Sequence, residues 1–333
     1  MNKVFAAAAL AALTPIAALA APVLEPHAQS FAAAAAKATP LYSLPYDGAR
    51  KVLSTVQSST VASPATVIKD DVWSIGPTGK VRVRIVRPEN ARGSLPAVLY
   101  FHGGGWVMGD RNTHDHLIRE LSVQANAAVV FVEYDNAPDV KYPENNEQAY
   151  AALEYVAKHA NALQVDANRI AVAGDSAGGN MAAAVTLLAK ERRGPSIIHQ
   201  VLFYPVTDDV SDNASYRAFG EGPFLTRKAM DYFLDANFPD EYRNDVLAFP
   251  LKATVEQLKE LPSATVIIAE NDLLRDEGEA YARKLLQAGV AVTSTRYIGT
   301  IHDFVMLNAL ADSRPARAAI AQASTELRAA FAK

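Results

Sequence analysis

The chain contains no cysteine, so no disulfide can brace it and no lipid can be attached through an N-terminal cysteine. Its stability must come from its core. It has no basic block and no basic–aromatic interleaving, and its formal net charge is −4, so nothing supports nucleic-acid binding. It has no apolar run long enough to span a bilayer stably. No internal repeat or linker-like stretch divides it. Convincing metal and cofactor patterns are missing too. His114-x-His116, with Asp110 and Asp115 nearby, falls where Thr113 reads as a helix N-cap, and positions i and i+2 on a helix point apart. Gly103-x-Gly105-x-x-x-Gly109 is one residue too long for a dinucleotide fingerprint and lacks a distinctive downstream acid. The sequence therefore predicts neither a metal nor a cofactor. The oligomeric state is left open.

What is present is a chain of 333 residues, half of them hydrophobic, enough for a large buried core. Residues 1–20 are set apart. Lys3 is followed by the apolar run Val4 to Ala12, then Pro15 and an Ala18-Leu19-Ala20 cleavage pattern. This reads as a secretory signal peptide, so a periplasmic or secreted protein is expected, with residues 21–333 as the mature domain.

Strand and helix patterns then alternate. Helices are expected at Ser30–Lys37 and from Tyr46 to Val56. Lys80–Arg87 alternates, with Val81, Val83 and Ile85 on one face and Arg82, Arg84 and Val86 on the other. Ala97–Phe101 and Ala127–Val132 are continuous apolar runs suited to strands buried on both faces. Further strands are expected at Ile170–Ala173, Ile197–Tyr204, Thr265–Ala269 and Val292–Ile298. Helices fit Thr113–Ala125, Tyr142 to about Ala160, Gly179–Lys190, Glu277–Ala288 and Ser313–Ala332. The alternation predicts an α/β fold with a mainly parallel sheet and helices on both faces. One interval, about 207–262, is too long for a single crossover. Its aromatic residues and the turn Glu221-Gly222-Pro223 suggest an insertion over the C-terminal edge of the sheet, where ligands bind in such folds.

The stretch from Val172 to Gly179 contains Gly174-Asp175-Ser176-Ala177-Gly178, a G-x-S-x-G between a strand and a helix. A serine exposed on so sharp a turn needs small neighbours, and a helix N-terminus behind it favours developing negative charge. A serine hydroxyl also needs a base, with a carboxylate to orient that base. In α/β-hydrolases, which this motif resembles, the acid and then the histidine follow the serine. Of seven histidines only His302 lies beyond the last long strand pattern, just after Gly299-Thr300-Ile301. For the acid, Glu270, Asp272, Asp276 and Glu277 are candidates. Asp272 is favoured because it lies just past a strand and before a helix, whereas Asp276 and Glu277 read as helix N-terminal charges. His102-Gly103-Gly104-Gly105 follows another strand. Its glycines leave backbone N–H groups free to face an oxyanion, and the N–H of Ala177 would join them. His102 reads as a holder of this loop.

Together, His-Gly-Gly-Gly at 102–105, Gly-Asp-Ser-Ala-Gly-Gly at 174–179, the run from Asp272 to Gly278 and His302-Asp303-Phe304 resemble the hormone-sensitive-lipase-like esterases, bacterial family IV. The resemblance implies an α/β-hydrolase fold with a helical cap, drawn here from an N-terminal arm at about 21–65 and the insertion. It implies hydrolysis of small carboxylic esters with short to medium acyl chains, without a cofactor. By motif position it implies the triad Ser176, Asp272 and His302, and the oxyanion donors Gly103, Gly104 and Ala177. Two positions depart from the usual pattern. Leu273 stands where proline usually follows the acid, and Asp303 stands where glycine usually follows the histidine, adding a charge beside His302.

Trp106, Phe219, Phe224 and Phe304 are expected to line an acyl pocket. Two other readings stay open. His-Gly-Gly-Gly-Trp is similar to arylformamidase-like hydrolases, which suggests an amidase, and a hydrolase fold that only binds is the non-enzymatic reading. With an unperturbed histidine base, activity falls as pH drops through about 6.5.

Overall fold

The computed structural model describes residues 22–333. The predicted signal peptide lies outside the described residues.

Eight strands form one sheet: β1 (Thr66–Trp73), β2 (Val81–Pro88), β3 (Leu95–Phe101), β4 (Ala128–Glu133), β5 (Val165–Asp175), β6 (His199–Phe203), β7 (Ser263–Asn271) and β8 (Val292–Ile301). Their order is β1-β2-β4-β3-β5-β6-β7-β8. From β4 to β8 every pairing is parallel, while β1–β2 and β2–β4 are antiparallel. The continuous apolar runs became the central strands. Every residue of β3 and β6 is buried, as both-faced coverage requires. At β2 the alternation holds for Val81, Val83 and Ile85, but Val86, expected on the outer face, is fully buried. β1 was not anticipated. Asp70 and Asp71 interrupt its alternation, and as an edge strand it is half-exposed.

Eleven α-helices are described: α1 (Pro26–Ala35), α2 (Tyr46–Val56), α3 (Asp115–Ala125), α4 (Glu144–Lys158), α5 (Ala160–Leu163), α6 (Ala177–Glu191), α7 (Ala214–Phe219), α8 (Arg227–Asn237), α9 (Val255–Leu258), α10 (Arg275–Gln287) and α11 (Arg314–Phe331). α3 packs against α11 and α4 against α6, over the two faces of the sheet. α6 has hardly any exposed residue, which its Ala- and Gly-rich sequence allows by letting backbone approach backbone. Thr113 does not cap α3. It closes a turn with Asp110, whose Oδ1 accepts the Thr113 N–H at 2.8 Å, and His114 takes the N-cap position.

The interval 207–262 carries α7, α8 and α9. It meets the N-terminal arm through aromatic contacts. Tyr46 and Tyr232 lie 4.9 Å apart, Phe31 meets Phe224 edge-on at 5.0 Å, and Tyr232 donates its hydroxyl to the Leu44 carbonyl at 3.1 Å.

Candidate active site

Ser176 joins β5 to α6 with φ 54° and ψ −117°, backbone that a non-glycine residue enters only at a cost, of order 1–3 kcal/mol. The turn is pinned on several sides. Ser176 N–H donates to the Phe203 carbonyl at 2.9 Å, and the Ser176 carbonyl accepts from Asn180 and Val206. The flanking glycines are dictated by the tightness of this crossing. A methyl group added at Gly174 would strike the Gly178 carbonyl, and one added at Gly178 would strike the Phe101 carbonyl.

The partners come from the ends of other strands. Asp272 follows β7 directly and His302 follows β8. Gly299-Thr300-Ile301, beyond the strand expected at Val292–Ile298, is the last part of β8. A register irregularity between Ala269 and Asn271 absorbs the positive φ of Gly299 and pairs Asn271 with Ile301. His302 Nε2 lies 2.9 Å from Ser176 Oγ, and His302 Nδ1 lies 2.6 Å from Asp272 Oδ2. The other Asp272 oxygen accepts the Leu274 N–H at 3.0 Å, which fixes the carboxylate plane. All three side chains are buried. Burial alone would lower the pKa of His302. The charges of Asp272 and then Asp303 outweigh it and push the imidazole up to about 9.

The other candidate acids have different tasks. Glu270 Oε2 accepts the Gly299 N–H at 2.7 Å. Asp276 accepts the Ser215 N–H. Glu277, read from sequence as a helix-terminal charge, is buried and accepts the N–H groups of Thr207 and Asp208. Burial pushes its carboxyl well above the usual range.

The oxyanion loop requires one correction. Gly103 N–H donates to the buried Asp175 Oδ1 at 3.0 Å. A single N–H already committed to a carboxylate is not available to an oxyanion. Gly104 and Gly105, with φ 102° and 62°, both border the cavity at Ser176, and neither N–H has an acceptor among the described residues. Ala177 N–H heads α6 beside the serine.

Asp175 is the residue that sequence reading missed. Its Oδ1 also accepts the Tyr100 hydroxyl at 2.6 Å, and His114 Nε2 lies 3.3 Å from Oδ2. Burial would raise its pKa, but His114 and Tyr100 hold the carboxyl below its ordinary value. His116 faces elsewhere, with Nδ1 3.3 Å from Ser63 Oγ. The signal for this network was in plain view, since Asp175 adjoins the serine. Nothing in sequence pattern revealed that Tyr100 on β3, the loop after it and His114 at the head of α3 would supply its partners. His102 stays behind the loop, stacked on Tyr134 at 4.1 Å with Nδ1 2.9 Å from the Gly103 carbonyl. Burial, then the neighbouring His114, lowers its pKa to about 4, so it is neutral.

A cavity of about 90 Å³ opens at Ser176 and His302. It is bordered by Val52, Leu53, Val206, Leu225, Met230 and Phe233 among others. Of the four expected aromatic residues, Phe224 alone borders it. Trp106 is fully buried edge-on to Phe238, Phe304 packs between Tyr204 and Tyr297, and Phe219 lies under the Arg275 guanidinium. The pocket residues missed from sequence sit at helical spacing, Met230 and Phe233 on α8, Leu53 and Val56 on α2. Such spacing reads equally as ordinary core.

The fold and this geometry define the class, and the chain belongs to the α/β-hydrolase fold family, whose pattern matches residues 98–306, in its hormone-sensitive-lipase-like branch. Among its relatives is a carboxylesterase of Mycobacterium tuberculosis, 39% identical over 227 residues, or 68% of this chain and 71% of that one. An ethyl acetate hydrolase of Pseudomonas putida is 34% identical over 285 residues, 83% of this chain and 88% of that one. The crystal structure of a thermostable esterase from Pseudomonas putida superposes with a TM-score of 0.91 at 45% identity, covering 93% of this chain and 98% of that one.

Proposed function

We propose that this protein is a serine carboxylesterase that works through an acyl-enzyme. The observation that carries the reading is the continuous chain Asp272–His302–Ser176, ending on an apolar cavity. Ser176 Oγ attacks the ester carbonyl while His302 Nε2 takes its proton. Asp272 keeps the Nδ1 proton on the imidazole and so presents Nε2 as the base. The carbonyl oxygen, now negative, is met by the N–H groups of Gly104, Gly105 and Ala177. His302 returns its proton to the departing alcohol. Water, activated by the same base, then releases the acid.

The size of the cavity supports short acyl groups, since drug-sized sites run to roughly 300–1,000 Å³. A larger chamber of about 590 Å³ lies beside it and shares Leu41, Val52, Val56, Phe224 and Ala229. It supports room for medium chains or for the alcohol. The arm up to about residue 65 and the insertion at about 207–262 act as a cap, a reading supported by their supply of both chamber walls. The amidase reading leaned on Trp106, which packs into the core away from the serine. Export is part of the proposal and rests on residues 1–20 alone. N-terminal sequencing of the periplasmic or secreted protein, expected to begin at about Ala21, tests it.

Ser176→Ala is expected to remove activity on short aryl esters by about 10⁶-fold. A ladder of acyl lengths with matching amides measures the preference. Turnover retained by that variant would sink the assignment.

A further inference from the structure

Asp303 directly follows the candidate base, and its φ of 63° is one that glycine adopts freely. Its side chain borders the cavity at the serine. Its Oδ1 lies 3.3 Å from His302 Nε2, the nitrogen that faces Ser176 Oγ at 2.9 Å. Asp272 already holds Nδ1 from the other side, so the imidazole lies between two carboxylates. Asp303 Oδ1 is buried and makes no hydrogen bond among the described residues. A buried carboxylate oxygen so placed is stabilised when Nε2 carries a proton and repelled when Nε2 presents its lone pair.

We propose that Asp303 is a positioning residue that, from its place beside His302 Nε2, retains a proton on that nitrogen in the free enzyme until solvent removes it. The proposal rests on the triad reading above. While Nε2 is protonated, Ser176 has nowhere to pass its proton. Once solvent has taken the Nε2 proton, Ser176 Oγ–H points into the free lone pair and attack begins. The imidazolium that forms as the serine attacks is then stabilised by both carboxylates.

The surrounding groups act in a consistent direction. Asp272, after β7, and Asp175, at the end of β5, also favour the imidazolium. Tyr204, following β6, meets His302 edge-on at 5.0 Å, and burial first of all keeps its phenol neutral. Met230 and Phe233 on α8 bring no charge to the cavity. Around Asp303, burial and the charges of Asp175 and Asp272 raise its carboxyl to about 6, against the opposing pull of His302 and the more distant His114. With His302 near 9, the interval between the two holds an ion pair that must lose its proton before catalysis.

The test is the pH profile of kcat/KM on a short aryl ester, corrected for spontaneous hydrolysis, for the wild type, Asp303→Asn and Asp303→Gly. Asparagine and glycine both tolerate the left-handed backbone. The acidic limb is expected to move down by on the order of one pH unit in both variants, raising the rate at pH 7 about tenfold. A purely structural role would lower the plateau and leave the inflection where it is. An unmoved inflection, or loss of folding in both variants, overturns the proposal. An unmoved inflection with an inactive Ser176→Ala leaves the triad standing. An active Ser176→Ala removes the triad itself.

Discussion

Ser176 is held in strained backbone by bonds to Phe203, Asn180 and Val206, so its hydroxyl direction is set before any substrate arrives. The same economy governs its partners, each of which has one oxygen or nitrogen for chemistry and another for orientation. Asp272 spends one oxygen on His302 and one on the Leu274 N–H. Asp272→Asn is therefore expected to reduce kcat by about 10⁴-fold through the wrong imidazole tautomer. Glu270→Gln, which leaves the base untouched, is expected to keep kcat within a few-fold. Steady-state kinetics of the two variants decides between the acids. For the wild type the pH dependence has a definite sign. Because the base works unprotonated and its pKa lies near 9, the rate is expected to climb with pH through the alkaline range, well above the 6.5 of an ordinary imidazole. An acidic limb centred near 6.5 would contradict that.

At the scale of elements, the crossing of β5, α6 and β3 leaves no space for a single added carbon. Gly178→Ala is expected to cost about 1–3 kcal/mol, read from urea unfolding, because the Phe101 carbonyl it would meet is backbone and cannot rotate away. Its loss of activity should exceed its loss of folded protein, since the same shift moves Ala177 and the glycine loop. Much at this scale was legible in the sequence. Buried strands announce themselves as unbroken apolar runs, and Ser176, Asp272 and His302 fall at strand ends in the order that the family resemblance implies. What stayed hidden was set by tertiary contact. β1 reads poorly because Asp70 and Asp71 break its alternation, and the arginines that hold Asp70, Arg84 and Arg111, come from elsewhere in the chain. The Gly103 N–H reads as free until Asp175, 72 residues later, takes it. Trp106 and Phe304 look the same on paper whether they face a substrate or a core.

At the scale of the whole molecule, two distant stretches of chain make one pocket. Phe224, from the insertion, borders both the small cavity and the larger chamber next to it. Phe224→Ala is expected to merge them, raising kcat/KM for longer acyl chains relative to acetyl by about tenfold. An unchanged chain-length profile would show that the two spaces are not used by one substrate. The arm is tied in at its far end by Gln57, at the end of α2. Its amide donates to the carbonyls of Thr113 and Met306, and its carbonyl accepts from Asn308. Those last two partners lie 249 and 251 residues further along the chain. α2 stands early in the chain, and two of the residues that fix it stand near its end, while Arg50 holds it to Val107 and Ala137 in between. The wall of the pocket is thus closed by contacts that span most of the chain, and it is complete only once the C-terminal segment has docked.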